Sequence, residues 1–175
     1  AAEAGADVII SGAGLPVDMP AYVEGTDTKI APIVSSEKAA RIILKRWDKR
    51  FHRTADFLVI EGAHAGGHLG FSKEQLTHLY EPDYDRQYEE EIRNIIACAN
   101  EYAAKYDTSI PVIVAGGIMN GRQTRHMLDL GAAGIQVATP FVATEECDAA
   151  DAFKQAYVNA RPEDIEIVTS PVGMP

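Results

Sequence analysis

Two imidazoles stand four residues apart in the stretch Glu61-Gly62-Ala63-His64-Ala65-Gly66-Gly67-His68-Leu69-Gly70. Histidine exchanges protons near neutral pH, which makes His68 and His64 the first candidates for acid/base work. The glycines around them let the backbone approach a ligand without Cβ obstruction. Directly before lies Phe57-Leu58-Val59-Ile60, a short apolar run of strand type. The turn therefore falls at a strand's C-terminal end, where α/β enzymes place reacting groups. The same residues also fit a plain turn with a solvated histidine, and on this stretch alone both readings stand. Glu61, at the strand end, either faces a ligand or bonds a neighbouring backbone amide.

A second constellation could bind an anion. Val112-Ile113-Val114-Ala115 runs into Gly116-Gly117-Ile118 and then Asn120-Gly121-Arg122, and Gly134-Ile135-Gln136-Val137-Ala138-Thr139 follows one helix later. Two adjacent strand ends of small residues, one opening a helix, offer backbone N–H groups to a phosphate, and Thr139 adds a hydroxyl donor. Simple tight-turn geometry is the competing account. His52, His78 and His126 fall in helical or loop stretches without partners at ligand spacing, which assigns them to the surface. Cys98 in a helical pattern and Cys147 in a loop form no C-x-x-C pair, so they read as reduced thiols, and no metal site is indicated.

These residues need a scaffold, and the apolar pattern supplies one. Val8–Ile10, Ile30–Val34, Phe57–Ile60, Val112–Ala115 and Gly134–Ala138 are short runs apolar on both faces, each followed by glycine or serine and then by a helical pattern. That is the signature of parallel strands covered on both sides, hence an α/β class. One helix opens at Ser36-Glu37-Lys38, where Ser35 or Ser36 is the N-cap, and its stripe is Ala39, Ala40, Ile42, Ile43 and Trp47. A long helix is predicted from Tyr88 to Tyr106, with Glu89 to Glu91 near its N-terminal end, and a third from Gln123 to Leu130, ended by Gly131. Between Phe71 and Tyr88 the periodicity fails, and Pro82-Asp83-Tyr84-Asp85 reads as an exposed loop, either a lid or a solvated connection. Five βα units do not close an eight-stranded barrel of ~250 residues, so the sheet is open or the chain is the C-terminal part of a barrel.

With 46% hydrophobic and 24% charged residues, the 175-residue chain has the composition of a folded globular domain. A formal charge of −10 without a basic cluster argues against nucleic acid or an anionic membrane as partner. No apolar run reaches the roughly 18 residues of a bilayer span and no signal segment opens the chain, so a cytoplasmic location is expected. The start, Ala1-Ala2-Glu3-Ala4-Gly5-Ala6-Asp7, reads as the end of a helix and its turn, which implies further residues before it.

The motifs resemble those of the nitronate monooxygenases, formerly 2-nitropropane dioxygenases, and of the related flavin-dependent enoyl-acyl carrier protein reductases. The likeness is carried by Gly12-Ala13-Gly14-Leu15-Pro16, Pro32-Ile33-Val34-Ser35-Ser36, Glu61-Gly62 with Ala65-Gly66-Gly67-His68-Leu69-Gly70, Ala115-Gly116-Gly117-Ile118, Gly134 to Thr139 with Phe141, and Ser170-Pro171-Val172-Gly173-Met174-Pro175. The Ala-Gly-Gly-His-x-Gly turn is the most specific of these. The resemblance implies a TIM-type (β/α)8 barrel, with residues 1–175 as one α/β domain corresponding to its C-terminal five βα units and Val8 to Pro16 as the fourth strand and loop. It implies non-covalent FMN held by Glu61, Gly66, Gly67, Gly116, Gly117, Gln136, Val137, Ala138 and Thr139, with His68 catalytic and His64 outside the catalytic set. The chain departs from the family pattern at Ala138, where glycine is common, and at Pro140, where arginine is common. The implied reaction is oxidation of a nitronate, or of the parent nitroalkane, by molecular oxygen to a carbonyl compound and nitrite. The alternatives are an enoyl-thioester reductase using FMN and NADH, and a non-catalytic barrel fragment whose open edges favour homo-oligomers.

Overall fold

A computed structural model describes residues 1–169; the Ser170-to-Pro175 motif lies outside the described residues. The strands are β1 (Val8–Ser11), β2 (Lys29–Val34), β3 (Leu58–Glu61), β4 (Val112–Ala115) and β5 (Gly134–Gln136). The helices are α1 (Glu37–Phe51), α2 (Lys73–Thr77), α3 (Tyr84–Lys105), α4 (Gly121–Asp129), α5 (Thr139–Val142) and α6 (Asp151–Asn159). All four strand pairings are parallel, and the spatial order β1-β2-β3-β4-β5 follows chain order without reversal. A doubly wound sheet reverses its order at a switch point, whereas a barrel adds each strand beside its predecessor. The architecture is thus that of five consecutive units of a TIM-type barrel. Among the described residues, β1 and β5 each have one edge without a strand partner, and Val8 and Ile10 on β1 are each 46% exposed.

The central strand is the driest. Leu58, Val59 and Ile60 are buried on both faces, which explains why this stretch lacks the alternation of a half-solvated strand. The main core lies between the sheet and α1 and α3, with Ala40, Ile43, Leu44 and Trp47 facing Ile92, Ile95, Cys98 and Ala99. Ser36 caps α1 by accepting from the Ala39 N–H at 3.2 Å, and Glu91 of α3 accepts from the Glu37 N–H at 2.6 Å. At the other end of α1, Asp48 accepts from Lys105 Nζ (2.6 Å) and from the Tyr106 hydroxyl (2.8 Å).

Three departures from the sequence expectations have local causes. Helix α3 begins at Tyr84 instead of Tyr88, because Tyr84, Tyr88, Ile92 and Ile95 share one face and carry the apolar stripe a turn further back. The Phe71-to-Tyr88 stretch is not a plain loop: it holds α2, opened by a capping box in which Ser72 accepts from the Gln75 N–H and Gln75 accepts from the Ser72 N–H. Helix α6 went unpredicted since its apolar residues, Phe153 (51% exposed) and Val158 (62%) among them, are not buried in a core. No helix among the described residues is long and apolar enough to cross a membrane.

The hydrogen bonds from Lys105 and Tyr106 hold the Asp48 carboxyl below its ordinary value. A depressed carboxyl stabilises the fold above its unfolded pKa and loses that contribution as pH falls through the folded one. The urea midpoint of the native chain should therefore exceed that of Asp48→Asn by a constant margin near neutral pH, and the margin should shrink below pH ~4. A margin independent of pH down to 3 would show that the carboxylate does not tie α1 to α3.

Candidate active site

Parallel pairing puts the C-terminal ends of all five strands on one edge of the sheet, and the cross-strand register aligns Glu61 with Ala115 and Ala115 with Gln136. The loop after β1 is fastened from below. Trp47 of α1 donates its indole N–H to the Pro16 carbonyl at 3.0 Å, and Arg50 pairs with Asp18. This presents Ala13 (φ 56°) and Gly14 at the rim of a cavity of about 380 Å³. Ser35, Glu61, His68 and Gly70 line it on the polar side, with Leu15, Leu69 and Phe71 among its apolar walls.

Glu61 bonds a neighbouring backbone amide, one of the two roles open to it from sequence. Its Oε2 accepts from the Gly70 N–H at 2.8 Å and from the Ser35 hydroxyl at 3.3 Å. His68 is exposed at the cavity, two residues from that bond. Ser35 and Ser36 thus divide their duties: one reaches the site, the other caps α1.

The loops after β3 and β4 interlock. The Gly62 N–H donates to the Ala115 carbonyl (2.9 Å) and the Ala65 N–H to the Gly62 carbonyl (2.9 Å). A Cβ at Gly116 would stand 3.0 Å from the Gly62 carbonyl oxygen, and one at Gly117 would stand 2.8 Å from His64 Cβ. Both glycines also have left-handed φ, 101° and 70°. Their smallness therefore serves the seam between the loops as well as any ligand. His64 sits over Gly117 with its ring edge-on to Tyr84 (5.9 Å) and outside the cavity lining. Gly66 and Gly67 occupy open space in the turn.

The two N-terminal tyrosines of α3 support this seam and were missed as site residues, although their place on the helical stripe is the signal for them. Tyr84 stacks on Tyr88 at 6.2 Å, and the Tyr88 hydroxyl is buried beneath Gly62 without a hydrogen-bond partner. Burial pushes both phenols up, Tyr88 far above the usual tyrosine value, so Tyr88 stays protonated and neutral.

At the expected phosphate end, Asn120 caps α4 by accepting from the Arg122 and Gln123 N–H groups, each at 3.1 Å, which leaves the Gly121 N–H without a partner among the described residues. Among the described residues the N–H groups of Gly116, Gly117, Ala138 and Thr139 have no hydrogen-bond partner, and neither does the Thr139 hydroxyl. Gln136, Ala138 and Thr139 are exposed, while Val137 is half-buried against the core. Pro140, the second residue of α5, has no N–H to offer. His52, His78 and His126 do not line the cavity: His78 pairs with Glu81 (2.6 Å) and His126 with Glu89 (2.7 Å), which holds the Glu89 carboxyl below its usual range.

Comparison with known proteins gives consistent matches. The family model described as nitronate monooxygenase matches residues 1–175. A nitronate monooxygenase of Pseudomonas aeruginosa is 36% identical over 107 residues, 61% of this chain and 26% of that protein. A probable nitronate monooxygenase of Staphylococcus aureus is 30% identical over 146 residues, 82% of this chain and 33% of that protein. The match thus spans about a quarter to a third of these curated relatives. Among solved structures, FabK from Thermotoga maritima superposes with a TM-score of 0.65 at 28% identity, covering 90% of this chain and 41% of that one. A nitroalkane oxidase from Streptomyces ansochromogenes gives 0.63 at 25% identity, covering 89% and 40%.

The crowding at Gly62 is testable by compensation. A Cβ there would lie 2.6 Å from the Tyr88 hydroxyl. Gly62→Ala should cost about 1–3 kcal/mol by overpacking, and Tyr88→Phe should be near neutral because it removes an unpartnered buried group. In the double variant part of the Gly62→Ala cost should vanish in urea unfolding, since the Tyr88 ring (3.0 Å) and the Ala115 carbonyl (3.2 Å) still crowd the new Cβ; simple additivity would refute the contact.

Proposed function

The chain belongs to the nitronate monooxygenase family, and from that premise we propose that it carries the histidine and cofactor-phosphate parts of an FMN-dependent site oxidising alkyl nitronates with molecular oxygen. The observation that carries the reading is the row Glu61, Ala115, Gln136. Two interstrand spacings, roughly 10 Å, separate the histidine turn from the free N–H groups after β5, a span that a flavin mononucleotide covers. Unpartnered N–H groups at two glycines and at Ala138 and Thr139 suit a phosphate, and an open turn at Gly66 and Gly67 suits close approach of a planar ring. FMN would thus be held by Gly116, Gly117, Ala138 and Thr139 at its phosphate and by Glu61, Gly66, Gly67, Gln136 and Val137 along its length. When bound, FMN supplies the electron transfer from substrate to oxygen.

The protein's own groups do the rest. A neutral nitroalkane loses its α-carbon proton to an imidazole nitrogen of His68; a preformed nitronate instead receives a hydrogen bond from that ring at a nitro oxygen. Leu15, Leu69 and Phe71 give the alkyl part an apolar wall. The substrates are small nitronates or nitroalkanes and oxygen, the location is the cytoplasm, and residues 1–175 form one domain, with a homo-oligomer as its one protein partner. The second reading, an enoyl-thioester reductase using FMN and NADH, rests on the same glycine-histidine turn.

The deciding experiment is the visible spectrum of the purified protein before and after heat release, followed by nitrite release from alkyl nitronates. Released FMN with oxygen-dependent nitrite supports the proposal. NADH oxidation that requires an enoyl thioester selects the second reading, and a colourless protein that refuses added FMN rejects both. His68→Asn should then lower kcat/KM for neutral nitroalkanes by about 10²–10⁴ and spare preformed nitronates. Equal loss on both would make His68 a binding group.

A further inference from the structure

We propose that Glu61 is the positioning residue of the histidine turn: from the end of β3 its carboxylate holds the Gly70 N–H and the Ser35 hydroxyl together, and so fixes where His68 stands at the cavity. Why the placement matters rests on the functional reading above; the placement itself rests on hydrogen bonding alone.

The stretch from Gly66 to Phe71 has little else to order it. Among the described residues, the Gly70 N–H to Glu61 bond is the one hydrogen bond that its main chain makes. Gly66 and Gly67 add no stiffness, and Gly67 takes a left-handed φ of 93°. Leu69 is buried in a small cluster with Ala63, Leu76 and Leu79, so an apolar anchor follows His68 directly and the polar anchor comes one residue later. A charged acceptor suits this duty, because hydrogen bonds to ionised groups are roughly twice as strong as neutral ones.

The requirement for glycine at position 70 has the same origin. A Cβ there would overlap Ser35 Oγ and stand 3.2 Å from Glu61 Oε2, so the ends of β2 and β3 and the turn meet at a point with no room for a side chain. Only Oε2 is engaged. Oε1 has no partner among the described residues, so Glu61 can hold the turn and still face a ligand in the cavity.

Amide hydrogen exchange of the chain, read by NMR, tests this without any assay of turnover. In Glu61→Ala the Gly70 amide should exchange at least about tenfold faster while Val59 and Ile60 in β3 stay protected. Glu61→Gln keeps an acceptor oxygen in place and should restore protection to within about threefold of wild type. If Glu61→Ala opens β3 as well, Glu61→Asp decides, since its carboxylate is one methylene too short to reach Gly70. Unchanged Gly70 exchange in both Ala and Asp variants, or equal loss in Gln and Ala, overturns the proposal. At saturating FMN, Glu61→Ala should lower kcat on neutral nitroalkanes about tenfold and Glu61→Gln should recover most of that loss. A lost FMN affinity with Gly70 still protected would leave Glu61 as a flavin ligand alone and overturn the positioning role. Absence of turnover in the wild-type chain counts against the functional reading and leaves the exchange result intact.

Discussion

The seam between β3 and β4 is the constraint on which the functional edge depends. The two strands pair in register from Leu58 with Val112 to Glu61 with Ala115, and the Gly62 N–H extends that pairing one step by donating to the Ala115 carbonyl. Beyond it the Gly116 and Gly62 backbones meet directly and Gly117 leaves room for His64, because the three glycines present no side chains. A parallel ladder fixes the relative height of its strands, so the seam also fixes the height of Glu61 and, through it, of the histidine turn. Tyr84 and Tyr88 fill the space beneath, where apolar bulk is tolerated and a polar group finds no partner.

The helical layer controls the other rim. Trp47 is fully buried, yet its indole N–H reaches out of the core to the Pro16 carbonyl, so the packing of α1 and the course of the loop after β1 are one event. Ion pairs between Asp18 and Arg50 lie on the surface and add direction more than stability. The Glu37 N–H to Glu91 bond and the Asp48 cluster set α1 against α3 at both ends. Ser35 and Ser36 sit where this layer meets the sheet, which is why adjacent serines serve a site and a helix cap.

Much of this was legible in sequence because burial leaves a strong pattern. All five strands were readable as apolar runs and their unbroken succession is what the parallel sheet displays, but the expected cover on both faces fails at the edges, where β1 and β5 hold no buried residue. The boundaries failed where the signal was local and polar. Ser72 and Gln75 spell a capping box, and Tyr84 lies on the stripe of α3, yet Pro82 and Asp83 between them read as a loop. For the site, glycine and histidine content marked the turn, but the partner of Glu61 was not decidable, since Ser35 and Gly70 meet it from different parts of the fold. Nor could sequence show that Asn120 engages the Arg122 and Gln123 N–H groups of α4, which takes two donors away from any anion at that helix.

The glycine seam also divides what this scaffold can vary from what it cannot. At positions 116 and 117 the left-handed φ makes nearly every substitution first a change of backbone course, whereas at 62 and 70 a side chain would first displace Tyr88 or Ser35. Leu15 and Phe71 border the cavity outside that seam, and their size can change without moving a strand, whereas Leu69 is held in its buried cluster. Selection for a new substrate would therefore act on the apolar walls of the cavity while the reacting groups keep their places, and one frame could pass between chemistries of different bulk by exchanging a few wall residues.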